Sequence, residues 1–287
     1  MSDTHSEVVE DRKKLLSSAD HMRDMEHLPM EVVAITRPLR SVTRVTGRIA
    51  PRDPAGWTVA NVAVRLDVEE VEGHRPVSRV YTIRSYDPAT HLVEIDFVMH
   101  EDGPAMTWLA AARPGTRLWM TGPRAHLVPE FIPGRQVSLF ADETAIPAVY
   151  SILNAWPEGI EGTVWVETDD RAAFDELPAR TGVALCLLPR GAKEPAGTTR
   201  RLVTAARRAL AADPRQILWA AGERQEMREI RALCREHGLD REDTRIMGYW
   251  KLGMSSSEID RRRLEVYEAL RASGRTLADM SDEDLPI

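Results

Sequence analysis

Hydrophobic and polar positions change their period along the chain. Between residues 31 and 135 short runs alternate apolar and polar: "VTRVTGRIA" (42–50), "NVAVRLDVEE" (61–70), "RVYTIRSY" (79–86), "HLVEIDFVMH" (91–100) and "TRLWMTGPRAHLVP" (116–129). A period of two sends successive side chains to opposite faces of a strand, and the Gly, Pro and Asp between the runs supply turns. Many short strands of this kind predict an antiparallel barrel or sandwich. One stretch breaks the rhythm: "GPAMTWLAAARPG" (103–115) reads as a short helix ending at Pro114-Gly115.

From residue 136 apolar runs alternate with amphipathic helices. "RQVSLFADET" leads into "AIPAVYSILNAW", "GTVWVET" into "DRAAFDEL", "VALCLLP" into "TTRRLVTAARRALAA", and "RQILWAAGE" into "RQEMREIRALCREHG". That pattern predicts a parallel sheet with helices on both faces. "TRIMGYWKLG" adds a strand, and "SSSEIDRRRLEVYEALRASG" reads as a capped helix stopping at Gly274. Ahead of the barrel, Val9, Leu15, Leu16, Met22 and Met25 give residues 7–27 a weak helical pattern. The division expected is an N-terminal extension at 1–30, a β-barrel at 31–135, an α/β domain at 136–255, and a terminal helix and tail at 256–287.

Composition narrows the class. The 287 residues, 43% hydrophobic, suffice for two cores. A net charge of -7 excludes a general nucleic-acid binder, so an anionic ligand must meet a local basic pocket. The two cysteines, Cys186 and Cys234, form no metal-binding pattern and read as ordinary buried thiols. No apolar stretch reaches the roughly 20 residues of a membrane span, and the charged N-terminus lacks a secretory apolar region. The chain reads as soluble and cytoplasmic.

The chemistry centres on "RVYTIR" (79–84). Period two puts Arg79, Tyr81 and Ile83 on one face and Val80, Thr82 and Arg84 on the other. A flavin dinucleotide needs an aromatic surface, a hydrogen-bonding group near its reactive nitrogen and a cation for its phosphates, and Tyr81, Thr82 and Arg79 are those groups. A plain edge strand could carry the same residues. In "HEDGPAMTWLAAARPG", the Gly-Pro-Ala corner opens a helix whose unpaired N–H groups suit phosphate, although an ordinary turn would look alike. "ADET" (141–144) and "WAAGE" (219–223) end strands; Asp142, Glu143 and Thr144 either cap the next helix or touch flavin and nicotinamide. Gly222-Glu223 likewise reads as a nucleotide edge or a simple strand-to-helix turn. The absence of G-x-G-x-x-G weakens a tight pyridine-nucleotide site.

In order, "RVYTIR", "DFVMH" (96–100), "GPAMTWLAAARPGTRLWMTGPR" (103–124), "FADETAIPAVYSIL" (140–153), "WAAGE" and "GYWKLG" (248–253) resemble the siderophore-interacting proteins, FAD-dependent ferric-siderophore reductases of the ferredoxin–NADP reductase superfamily. The resemblance covers roughly residues 31–270. It implies that Arg79 contacts the pyrophosphate, Tyr81 packs on the isoalloxazine and Thr82 bonds near N5. It further implies that Asp96, Phe97, Val98 and His100 line the cofactor, and that Ala105, Met106 and Thr107 offer helix-start groups. Met106 stands where the family usually has Ser, which removes a hydroxyl contact. Asp142 and Thr144 are candidate cofactor contacts beside their capping reading, and "GYWKLG" resembles the segment that approaches the flavin from the second domain, with Trp250 as an aromatic lid or as core. Lys251 and Arg84 are candidate contacts to an anionic ferric siderophore.

The implied activity is reduction of ferric siderophore with electrons from NAD(P)H or ferredoxin, through FAD. No residue is needed as acid, base or nucleophile, and the iron is substrate-borne, so no protein metal ligands are expected. The alternatives are a flavin- or siderophore-binding module without turnover, and a flavin reductase with another acceptor.

Overall fold

A computed structural model of the chain describes residues 25–73, 76–100, 103–191 and 193–273. The chain forms two compact units that divide after His126. The first is a closed antiparallel barrel of six strands, β1 (Glu26–Thr36), β2 (Val42–Arg48), β3 (Val62–Glu69), β4 (Val77–Asp87), β5 (Leu92–Val98) and β6 (Arg117–Ala125), in the order β1-β2-β5-β4-β3-β6. Helix α1 (Pro104–Ala111) interrupts it between β5 and β6. Alternate residues of each strand fill the interior: Leu28, Met30 and Val32 from β1, Val64 and Leu66 from β3, Val93, Ile95 and Phe97 from β5. Closure removes the unpaired edges that an open sheet would leave.

Two boundaries differ from expectation. Strand β1 starts at Glu26, inside the stretch assigned to an N-terminal extension, because Leu28, Met30 and Val32 already alternate into the core across Pro29. The rest of the helix expected over 7–27 lies outside the described residues. Residues 127–135, expected with the barrel, belong to the second unit. There the Leu127 carbonyl accepts from Trp219 Nε1 at 2.9 Å, Arg245 bonds Glu130 at 3.1 Å, Phe131 packs edge-on against Trp156, and Arg135 reaches Asp243 at 2.7 Å.

The second unit is a five-stranded parallel sheet of β7 (Val137–Asp142), β8 (Gly162–Thr168), β9 (Val183–Pro189), β10 (Ile217–Glu223) and β11 (Thr244–Trp250), ordered β11-β10-β7-β8-β9. Its helices are α2 (Ile146–Asn154), α3 (Arg171–Asp175), α4 (Arg201–Ala212), α5 (Arg224–Glu236) and α6 (Ser256–Ala272). Strands β7 and β10 are buried throughout, as central parallel strands must be. Phe140 and Trp165 stack at 4.7 Å across β7 and β8. Ser255 and Glu258 form a reciprocal cap at the start of α6, the Glu258 carboxylate accepting from Ser255 N at 2.8 Å. Cys234 is buried, which pushes its thiol up to about 12, whereas Cys186 on edge strand β9 is only half-buried.

Chain order reverses between β7 and β10, so this is the switch point where such sheets bind ligands. Glu226, in the first turn of α5, is 1% exposed there. Burial pushes its carboxyl up to about 8, with the charges of Glu167, Asp142 and Glu223 adding to the effect and Arg200 opposing it. The folded protein therefore binds a proton here that the unfolded chain releases near 4.5, so stability falls as pH rises through that window to about 8.

Two outcomes follow. Glu226→Gln should raise Tm over wild type by an amount that grows from pH 5 to pH 8.5, and a pH-independent difference would refute the buried proton. At Gly162 an added Cβ would lie 2.5 Å from the Trp156 ring and 2.8 Å from the Val137 carbonyl. Gly162→Ala should therefore cost about 1–3 kcal/mol in denaturant unfolding, as overpacked sites do.

Candidate functional site

In the barrel, the "RVYTIR" strand does not keep strict alternation. Ile83 pairs with Ile95 and Ser85 with Glu94, so β4 bulges at Arg84, and Ile83 and Arg84 are both buried. Arg84 Nη1 donates to Asp96 Oδ2 at 3.1 Å, while Arg44 grips the same carboxylate from β2 through Nε at 2.6 Å and Nη2 at 3.0 Å. Arg84 is 4% exposed and serves as a counter-ion inside the barrel, which corrects its expected role on a siderophore. Asp96 is likewise an internal anchor joining three strands rather than a surface of its own.

Arg79, Tyr81 and Thr82 precede the bulge. Tyr81 packs on Phe97 with ring centroids 4.3 Å apart, and Phe97 stacks on Trp108 of α1 at 5.6 Å. This aromatic row ties β4 to the helix. Phe97 is fully buried, so it supports Tyr81 from behind and offers no face to a cofactor, another correction. Burial raises the Tyr81 phenol well above its usual range, against the pull of Arg79, and keeps it neutral at any ordinary pH. Arg79 is half-buried and donates to the Ser78 carbonyl at 2.8 Å, and Arg65 donates to the Ser78 hydroxyl at 3.0 Å. Thr82 is 9% exposed. Val98 is half-buried and His100 exposed at the end of β5.

Helix α1 opens at Gly103, whose φ of 140° favours glycine. An added Cβ would meet the His100 ring at 3.3 Å. Pro104 has no N–H and the Thr107 N–H is spent on the Gly103 carbonyl at 3.0 Å, so the helix-start donors are those of Ala105 and Met106. The Ala105 side chain is buried and Met106 packs onto the barrel core, which leaves them backbone contacts only. Thr107 is exposed. A cleft beside this helix is lined by Val68, Glu69, Gly103, Pro104, Thr107 and Trp108. A cationic strand residue, a neutral aromatic held from behind and a helix start opened by a glycine at positive φ, with the Ala105 and Met106 N–H groups left as donors, are a set that fits FAD.

At the sheet's switch point Asp142 is a hub. Its carboxylate accepts from Thr144 N at 2.9 Å and Thr144 Oγ1 at 2.5 Å, from Trp250 Nε1 at 2.7 Å, and from the Glu223 N–H. Strand β10 approaches so closely at Gly222 that a Cβ would stand 2.7 Å from Asp142 Oδ2. Asp142 therefore caps the turn that carries Thr144, and Trp250 is pinned by its indole N–H to the same carboxylate, which favours the capping reading of Asp142 and Thr144 over a ligand contact. Glu223 caps α5 through Gln225 N and Glu226 N at 2.6 and 3.1 Å, and accepts from Leu252 N at 3.1 Å. That last bond fixes the turn that carries Lys251, which is half-buried and has no carboxylate at salt-bridge distance among the described residues. Glu167, Arg190 and Glu226 also gather at this edge and escaped sequence reading. Each looks like a solvated charge after a strand or in a helix's first turn, and only the fold buries it.

Residues 134–253 match the siderophore-interacting protein profile and residues 53–127 the siderophore-interacting FAD-binding domain. The ferric acinetobactin reductase of Acinetobacter baumannii is 40% identical over 273 residues, 94% of each chain. The NADPH-dependent ferric-chelate reductase of Escherichia coli is 41% identical over 78 residues, 27% of this chain and 30% of its own. A solved siderophore-interacting protein from A. baumannii superposes with a TM-score of 0.82 at 38% identity, covering 87% of this chain and all of that one. With the barrel, the parallel sheet and both matched domains in one chain, this protein belongs to the siderophore-interacting protein family.

Proposed function

We propose that the protein is a FAD-dependent reductase that carries electrons from NAD(P)H to ferric iron held in a siderophore. The observation that carries this reading is the Tyr81–Phe97–Trp108 row, which brings the Arg79 strand and the α1 start together in one unit. The chemistry that bound FAD supplies is conversion of a two-electron hydride donor into single-electron delivery. Arg79 would balance the pyrophosphate charge, the Ala105 and Met106 N–H groups would donate to it, and Tyr81 would present a neutral ring to the isoalloxazine. Thr82 would offer its hydroxyl to the flavin ring. His100 and Val98 flank the same strand end. The ferric ion in its hard oxygen cage is the substrate, and adding one electron weakens those bonds enough for release. A nicotinamide donor places this work in the cytoplasm.

Lys251 is the cation assigned to the substrate. The protein carries a net charge of -7, so an anionic ferric complex needs a local positive field to approach productively.

Purified protein should be yellow with FAD, and Arg79→Ala should weaken FAD about tenfold or more while changing riboflavin affinity little, because riboflavin has no phosphate. Equal losses for both flavins would disprove the phosphate role. Lys251→Glu should raise KM for an anionic ferric siderophore severalfold, most at low salt, while the rate of flavin bleaching by nicotinamide stays at its wild-type value. The same salt dependence in both proteins, for anionic and neutral chelates alike, would remove Lys251 from this role.

A further inference from the structure

The carboxyl edge of the second unit carries a set of polar atoms that the protein leaves unpaired. The order β11-β10-β7-β8-β9 is the open doubly wound arrangement in which a dinucleotide crosses the switch point. In that arrangement the adenosine ribose meets the end of the second strand, where a carboxylate takes the hydroxyls of NADH or an arginine takes the extra phosphate of NADPH. Here β7 is the first strand and β8 the second.

Glu167, near the end of β8, is 1% exposed; Thr199 Oγ1 donates to its Oε1 at 2.7 Å, and its Oε2 is buried without a partner. Arg190, just after β9, has a side chain 6% exposed. Its Nη2 is held by Glu143 Oε2 at 2.7 Å with Asp169 Oδ1 at 3.7 Å, and its Nη1 is buried without a partner. Of the neighbouring arginines, Arg201 bonds both Glu194 oxygens through Nη2 at 2.9 Å while its Nη1 is buried without a partner, and Arg200 pairs with Glu229.

We infer that this edge selects an unphosphorylated adenosine ribose, so that the donor is NADH rather than NADPH. The inference rests on the reading of a nicotinamide nucleotide as electron donor. Ribose hydroxyls donate to Glu167 and Asp169, giving the buried Glu167 oxygen its missing partner. A 2′-phosphate would instead bring two negative charges beside Glu143, Glu167 and Asp169 in a weakly screened site, facing an arginine whose charge Glu143 and Asp169 already balance. Arg190 thus acts as a positioning residue that holds the acidic wall together.

The test uses the flavin-loaded full chain, with 5′-AMP and adenosine 2′,5′-bisphosphate as calorimetric probes and anaerobic flavin bleaching by NADH and NADPH as the kinetic readout. Wild type should bind 5′-AMP about tenfold or more tightly than the bisphosphate, with kcat/KM favouring NADH by a similar factor. Glu167→Gln should weaken 5′-AMP. Because that buried change can disturb folding, the double variant Glu143→Gln/Asp169→Asn, checked by its Tm, serves as the second arm. It exposes the charge of Arg190 and should move both ratios toward the phosphorylated ligand about tenfold. Tighter or equal binding of the bisphosphate by wild type, binding of neither probe, or unmoved ratios in a folded double variant would overturn the inference. If 5′-AMP keeps its preference while no nicotinamide bleaches the flavin, the electron-donor reading falls and the ribose site stands.

Discussion

A carboxylate taken out of water must find donors, and two buried aspartates show how much of this protein is arranged to supply them. Asp96 in the barrel draws Arg44 from β2 and Arg84 from β4, so one carboxylate holds three strands in register. Its oxygens are bonded in near-bidentate geometry, and its side chain is 2% exposed. Removing one partner of such a buried set costs about 3–5 kcal/mol, because a desolvated charge is left behind. Asp142 in the sheet gathers the Thr144 backbone and hydroxyl, the Trp250 indole and a backbone N–H of the neighbouring strand, and so draws the ends of β7, β10 and β11 together.

These anchors decide what their neighbours can do. The bulge that turns Arg84 inward toward Asp96 lies two residues beyond Thr82, so the "RVYT" half of the strand is followed by a fixed point rather than a fraying end. Tyr81 gains its orientation from Phe97, one residue after Asp96, on a strand that the same carboxylate pins. A ring that must accept a planar cofactor without reorganising benefits from this, since rotamers locked by packing are not lost again on binding. In the second unit, fixing Trp250 to Asp142 also fixes the turn after it, and Glu223 at the end of β10 completes that turn by accepting from Leu252 N.

Much of this was legible in the sequence, and the failures have particular causes. Period two found β2 to β6, and the alternation of apolar runs with amphipathic helices found the parallel sheet, because both patterns report which side faces a core. Strand β1 was missed in part: its alternation of Leu28, Met30 and Val32 is broken by Pro29 and flanked by charges. Arg84 was misread because a bulge shifts the period by one, and no local signal announces a bulge without its partner strand. Phe97 followed from proximity to the motif, whereas its burial follows from barrel closure. Asp142 and Thr144 had two readings of equal standing in sequence, a ligand contact or a cap, and only the hydrogen bonds separate them.

The same accounting explains how a protein with a charge of -7 handles anionic ligands. Several of its arginines are committed to carboxylates, Arg44 and Arg84 to buried Asp96 and Arg190 to Glu143, and nearer the surface Arg201 to Glu194 and Arg135 to Asp243. Net charge therefore says little about the field at any one site, since cations consumed by buried carboxylates contribute almost nothing to approaching ligands. What discriminates among anions is where the balance is left uneven. At the α1 start, where the flavin phosphates are proposed to sit, backbone donors meet no carboxylate in the helix's own first turn. At the end of β8 Glu143 and Asp169 flank Arg190 and Glu167 lies within the field of Arg190 and Arg201, and the proposed ribose site rests on that balance. On the proposed reading, acceptance of a phosphate in one unit and its rejection in the other come from the same rule, applied with opposite local sums.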